Sequence, residues 1–379
     1  MFIQIIKNGR FWRSIVAPCL IGLGLLEIGF QSTPSSNGDT AVYSSPDIAT
    51  LARVWPTNGN IGISGFCHGL LYYGLGQTDL STYPSGRSML GVLTDEELAV
   101  RTFGRTPFIR TRNGLRYYLT DDPLGNASFG EVHRDQCLAT FAALGLPLNT
   151  PITLKEKSCS IRDLLSESVA SFDLNQKEPA WTAMAYTYYL PPKNKWLNRF
   201  GEQTSFSQMV ERLLTTDLGS QSCAGTHIFE ALVKIRNADE RNSILDRETR
   251  IRLDSYVADT VKQVVEHQHP DGSWGRDWFD SNKIGSASIE DRILVTGHVL
   301  EVLSCLEPED RPSRTVYVRG AEWDQEALNS PTNSAVLGFR FICPFTHAAR
   351  TARQILTFGG NTAAAGKSVP ITQDRGVGL

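Results

Sequence analysis

Five of the seven histidines in this chain stand in one recurring local pattern. His133-Arg-Asp-Gln136, His227-Ile-Phe-Glu230 and His298-Val-Leu-Glu301 share the form His-x-x-(Gln/Glu), and leucine follows two residues later at Leu138, Leu232 and Leu303. Trp181-Thr-Ala-Met-Ala-Tyr186 falls in step with a tryptophan in the histidine's place, and His68 and His347 lie in degenerate copies. An imidazole titrates near neutrality, so one held beside a carboxylate can take a proton and return it. The chemistry this suggests is acid/base catalysis, with a histidine as general base and a carboxylate as its orienting partner or acid. The candidate catalytic residues are His133, Asp135, His227, Glu230, His298 and Glu301, and Glu131, His133 and Asp135 form the densest polar cluster. The plain alternative is that these histidines cap backbone groups or complete a buried hydrogen-bond network with Glu230 and Glu301.

Chemistry of this kind needs the pairs brought together. His68, His133, Trp181, His227, His298 and His347 are separated by 65, 48, 46, 71 and 49 residues, each interval long enough for two helices and their loops. That spacing fits a closed or nearly closed ring of about six helical hairpins, with alternate helices forming an inner ring. Positions i and i+3 share a helix face, so each histidine should meet the Gln or Glu that follows it. Thr226, Thr296 and Thr346 stand just ahead of three of the histidines, which places these in first helical turns near one mouth of a central cavity.

The elements agree with such a ring. Apolar residues at period 3.6 mark helices near 65–75, 93–102, 129–146, 161–173, 178–190, 204–218, 223–238, 246–268, 290–306, 317–329 and 344–358. Pro179 suits a first helical turn and Asp246 an N-cap. Strand signal occurs once, where residues 108–112 and 115–119 flank Asn113-Gly114, the favoured pair for a two-residue hairpin turn. One β-hairpin in a helical chain reads as a flap or a brace, and as a flap it would make a lid beside the cavity.

Gln268-His-Pro-Asp-Gly-Ser-Trp274 closes the long run 246–268. Gly272 permits a tight turn there, Gln268 can satisfy backbone groups left open at a helix end, and Trp274 can cover the joint. Q-x3-G-x-W is the core of the repeat of squalene-type terpene cyclases, and with this motif the chain resembles those enzymes and the related protein prenyltransferases. The whole layout is also similar to a group of secreted bacterial proteins. The resemblance implies an all-α fold, an α/α toroid, over residues 60–358, with the β-hairpin near 108–119 inserted. It does not extend to the chemistry. The D-x-D-D acid cluster of the cyclases is missing, Asp121-Asp122-Pro123 being a poor substitute, and so is the D-D-x-x-D helix that holds magnesium and diphosphate. Prenyltransferases bind zinc through Asp, Cys and His. Here Cys223 and His227 stand one turn apart with no third ligand evident, and Cys67-His68-Gly69 resembles one zinc motif of the lanthipeptide cyclases without its companions. The sequence therefore assigns no metal and names no cofactor.

Composition bounds the rest. The 379 residues carry 37 basic and 40 acidic side chains, and a net charge of -3 excludes a nucleic-acid surface built on basic excess. Lys7, Arg10 and Arg13 precede an apolar run from Ile15 to Phe30, which reads as a signal peptide or signal anchor over 1–31 and places the remainder outside the cytoplasm. A linker and arm over 32–59, the helical domain over 60–358 and a disordered tail over 359–379 complete the expected organisation. Six further cysteines stand singly, with no C-x-x-C spacing, as buried thiols or as one or two disulfides that sequence cannot pair. Two functions remain: an extracytoplasmic enzyme acting by proton transfer on a small or chain-like molecule in a His/Glu-lined cavity, or a non-catalytic scaffold that binds a ligand or partner.

Overall fold

The computed structural model describes residues 61–75, 85–125, 129–192, 195–280, 288–330, 333 and 342–357. The expected signal segment, linker and tail lie outside these residues. Among the described residues no helix is long and apolar enough to cross a membrane.

Helices dominate: α1 (Ile63–Tyr73), α2 (Gly86–Thr94), α3 (Glu96–Phe103), α4 (Gln136–Ala143), α5 (Ile161–Ser171), α6 (Ala180–Tyr189), α7 (Phe206–Leu214), α8 (Thr226–Asn242), α9 (Arg247–Glu266), α10 (Ile289–Cys305), α11 (Arg314–Asn329) and α12 (Ile342–Thr357). Several start where a side-chain oxygen takes up a free first-turn amide. Ser85, Asp95, Ser205, Asp246 and Ser288 accept from the amides of Ser88, Leu98, Gln208, Thr249 and Asp291. In α1, α4, α6 and α8, by contrast, the residue just before the helix offers no side-chain cap.

Burial sorts the helices into two kinds. In α9 the buried residues Thr249, Leu253, Val257, Thr260 and Val264 follow one stripe, as in a helix with a wet outer face. In α6 every residue from Ala180 to Tyr186 is buried, and in α8 every residue from Thr226 to Val233, as in helices covered on all sides. The covered set is α1, α4, α6, α8, α10 and α12. Each packs against the next in that order, and α12 packs back on α1. Helix α2 lies on α1, α7 and α9 on α8, and α11 on both α10 and α12. Gly297 permits a close approach of α10 to α12, since a Cβ there would fall 2.5 Å from the backbone nitrogen of Ala348.

The expected β-hairpin forms as β1 (Phe108–Arg110) and β2 (Leu115–Tyr117), antiparallel with Arg110 opposite Leu115. It is a brace: Thr111 and Asn113 at its turn donate to Glu167 of α5 at 2.6 and 3.3 Å. Two further antiparallel pairs were not expected, β3 (Pro151–Thr153) with β4 (Ser158–Ser160) and β5 (Trp196–Leu197) with β6 (Gln203–Thr204). They are hairpins of two or three residues, too short to show the alternation that marks a strand. The expected helix at 129–146 begins only at Gln136, because residues 129–135 continue beside β2, with Glu131 bridging to Leu119.

The Gln268–Trp274 segment forms the joint its residue types suggest. The Gln268 amide donates to the carbonyls of Gly272 (2.8 Å) and of Val316 on α11 (2.9 Å). Trp274 is fully buried and donates from Nε1 to the Val264 carbonyl near the end of α9, while its own amide donates to Thr296 of α10. Gly272 has φ +99°, and a side chain there would strike the Arg319 backbone.

Candidate metal centre

The six covered helices bring the pattern residues together at one hub. Ring centroids are 3.8 Å apart for His298 and His347, 4.7 Å for His227 and His298, and 5.0 Å for His68 and His347. His133 lies 5.6 Å from His227 and stacks on Trp181 at 5.5 Å. All five histidines are at most 5 % exposed, so the rings themselves fill the space they line. Only His227 sits in a first helical turn. His68, His298 and His347 lie deeper in their helices and His133 precedes α4; Thr296 and Thr346 stand inside α10 and α12 and cap neither. Thr296 holds the Trp274 backbone instead, while Thr226 and Thr346 donate to the carbonyls of Cys223 and Cys343.

Two cysteines complete the hub. The donor atoms of His133, Cys223 and His227 lie within 4.8 Å of one another, as do those of His68, Cys343 and His347, and those of Cys223, His298 and Cys343. Among these groups, Nδ1 of His68, Nε2 of His347 and both nitrogens of His227 and His298 are buried without a hydrogen-bond partner. A buried donor or acceptor left unmade costs about 1–3 kcal/mol, so this concentration needs a physical reason. The backbone is strained at the same place. Cys223 and Ala224 both adopt left-handed φ near +50°, at a cost on the order of 1–3 kcal/mol each, and the segment aims Cys223 at the histidines just before α8 begins.

Carboxylates stand behind the rings, but across helix seams as well as along helices. Glu230 lies 3.7 Å from Nδ1 of His227 in the expected i, i+3 relation and accepts from Lys234 at 2.5 Å. Glu301 reaches past His298 to Nδ1 of His347 at 2.5 Å and also accepts from Arg350 at 2.6 Å. Gln136 pairs with Nε2 of His68, at 3.1 Å, and not with His133. His133 uses Nδ1 to hold Glu178 at 2.5 Å, and Ser222 donates to the other Glu178 oxygen. Carboxylates on Nδ1 of His133 and His347 fix the tautomer that presents Nε2 as an electron-pair donor, the arrangement usual behind a metal-bound histidine. Asp135 serves elsewhere: it accepts from Thr182 at 2.5 Å and Ser168 at 2.8 Å between α5 and α6.

The charge states suit a cation as well. The Cys343 thiol beside it holds Cys223 well below the usual thiol range despite burial, with His227 and His298 adding to the effect, and Cys343 itself is pushed up by Cys223 and by burial. Burial opposes a charge on His227, yet Cys223 and Glu230 outweigh it and raise the imidazole to about 10. Burial and the His347 ring lower His298 to about 4, and the same two causes hold His68 well below its usual value. Thus the hub carries one thiol held well below its usual range and two imidazoles that stay neutral at pH 7.

Cys343, His347 and Glu178 are absent from the candidates the sequence nominated, while Cys223 and His68 entered only through incomplete zinc motifs. The third ligand that Cys223 and His227 lacked in sequence is His133, supplied by the loop before α4. One signal was available: Cys-x2-Thr-His occurs twice, at Cys223–His227 and Cys343–His347. A shallow depression lined by His133, Glu178, Trp181, Gln221, Ser222 and His227 borders the hub. No family model, no curated protein and no solved structure matches this chain.

Proposed function

We propose that the chain is an α/α toroid whose hub binds a d-block cation and uses it for proton-transfer chemistry on a small molecule. The toroid reading is supported by the order of the covered helices, each packed on the next with α12 returning to α1. The observation that carries the metal reading is the three groups of buried histidines and half-buried cysteines whose donor atoms lie within 4.8 Å, four of the five histidines leaving at least one nitrogen without a hydrogen-bond partner. Thiolate and imidazole together favour zinc or a neighbouring borderline-soft ion over magnesium or calcium. A tetrahedral zinc site spaces its donors about 3.3–3.8 Å apart, given Zn–S near 2.3 Å and Zn–N near 2.0–2.1 Å, so contraction by about one ångström completes such a shell.

On this reading His133 stands at the border between the ion and the depression, where Glu178 holds Nδ1 and can take up or return a proton at that nitrogen. Trp181 stacks on the ring and fixes its plane. Such an ion supplies Lewis acidity toward an oxygen of a molecule seated in the depression.

The test is elemental analysis of the purified full-length chain, before and after exposure to micromolar zinc. The expected result is bound zinc or another d-block metal in the wild type, reduced at least tenfold in a Cys223→Ser/Cys343→Ser double variant. A wild-type protein that retains no d-block metal after zinc exposure overturns the reading.

A further inference from the structure

The two Cys-x2-Thr-His segments repeat in space what they repeat in sequence. In each, the threonine hydroxyl donates to the carbonyl of its own cysteine, at 2.8 Å for Thr226 and 3.1 Å for Thr346. In each, the cysteine and histidine are joined by one imidazole from a neighbouring part of the ring, His133 in the first and His68 in the second. Each triad has one imidazole whose Nδ1 is held by a carboxylate, His133 by Glu178 and His347 by Glu301. The two triads have no residue in common, and His298 lies against the cysteines of both.

We propose that the hub holds two d-block cations, one in each Cys-x2-Thr-His copy, with His298 and the two cysteine sulfurs between them. This rests on the metal-centre reading and adds the number of ions and the ligands of each. The donor count requires it. Seven His and Cys side chains converge, while a single four-coordinate ion takes four and leaves three buried groups idle. Charge permits it: the two cysteine thiolates with Glu178, Glu230 and Glu301 carry five negative charges. Lys234, on Glu230, and Arg350, on Glu301, return two positive ones. Two dications bring that sum to within one unit of neutrality.

The experiment is titration of the metal-stripped full-length chain with Co2+ under anaerobic reducing conditions. The thiolate-to-cobalt absorption band is followed, and bound cobalt is counted after dialysis. Two equivalents are expected in the wild type. His68→Ala and His133→Ala, each removing an imidazole that belongs to one triad alone, should each bind one, with circular dichroism confirming that the variants fold. The wild-type count involves no substitution and decides the matter by itself: one equivalent overturns the two-ion centre and leaves the metal-centre reading standing, whereas none overturns both. Two equivalents retained in both variants also overturn the assignment of one ion to each triad.

Discussion

Glu131 illustrates how far a side chain's role depends on what surrounds it. It sits with His133 and Asp135 in the cluster the sequence marks as densest in polar groups, yet it stands outside the hub. Its Oε1 accepts from the Cys137 amide at 2.6 Å and so caps the start of α4. Burial raises its carboxyl to about 8, Asp135 adding to the effect and the Cys137 amide opposing it. The unfolded chain releases this proton near 4.5, so between about 4.5 and 8 the folded state holds a proton the unfolded state lacks. Stability from this group is therefore fully present below 4.5 and declines as pH rises to about 8, by up to a few kcal/mol at ~1.4 kcal/mol per unit. Glu131→Gln keeps an acceptor and never ionises, so urea unfolding at pH 5, 7 and 9 should show a flatter decline than in the wild type. An unchanged slope would place its origin elsewhere. His298 has the opposite sign: held near 4, it favours unfolding as pH falls below 6.5. At this scale the sequence disclosed which histidines converge, because they recur in one local pattern. It did not disclose their partners, because Glu178, Glu301 and Gln136 reach across seams that local spacing cannot encode.

Elements were more legible than partners. Period 3.6 placed the helices from α5 to α12 within a few residues, since each has an apolar face, and α7, α9 and α10 also have a capping oxygen. What escaped was short or irregular: the two- and three-residue hairpins, and the left-handed segment before α8, which a helical pattern across 223–238 conceals. The Gln268–Trp274 joint carries a direct test. Trp274→Ala should destabilise by roughly 3–5 kcal/mol, because a fully buried indole and its bond to Val264 are lost. Gln268→Ala should cost about 1–3 kcal/mol by orphaning the Gly272 and Val316 carbonyls. The double variant should lose less than the sum, since one joint fails in both. A Trp274→Ala chain that melts with the wild type would leave the joint without energetic weight. A second test concerns the seam between α10 and α12. Gly297→Ala forces these helices apart, at a cost of about 1–3 kcal/mol for overpacking. Because His298 is the next residue and faces His347 at 3.8 Å, the same change should weaken metal retention, while a surface Gly201→Ala should leave retention unaltered.

For the molecule as a whole, the hub is where the six covered helices meet, so ligand binding and folding should be coupled. Cys343 comes from α12, His68 from α1, His298 from α10, and Cys223 and His227 from the start of α8. An ion held there as proposed would tie together segments separated by most of the chain and would favour the folded state that assembles its ligands. Occupancy at a thousand times the dissociation constant adds about 4 kcal/mol to stability, so chelation should lower the melting temperature and added zinc should restore it. Protons compete for the same atoms. Cys343 is raised and His227 lies near 10, so both hold protons at pH 7 that an entering cation must displace. Each proton released makes affinity fall up to about tenfold per unit of pH. The stabilisation by zinc should therefore shrink steadily from pH 8 to pH 6. The metal-free chain should change less over that interval and in the opposite sense, because Glu131 favours folding as pH falls, while the proton His227 gains is offset by the one its neighbour Cys223 gives up. Differential scanning calorimetry at fixed free zinc across that range measures both slopes. Equal slopes with and without zinc would mean that no protons leave the hub on binding, and that the ion sits on groups other than Cys343 and His227.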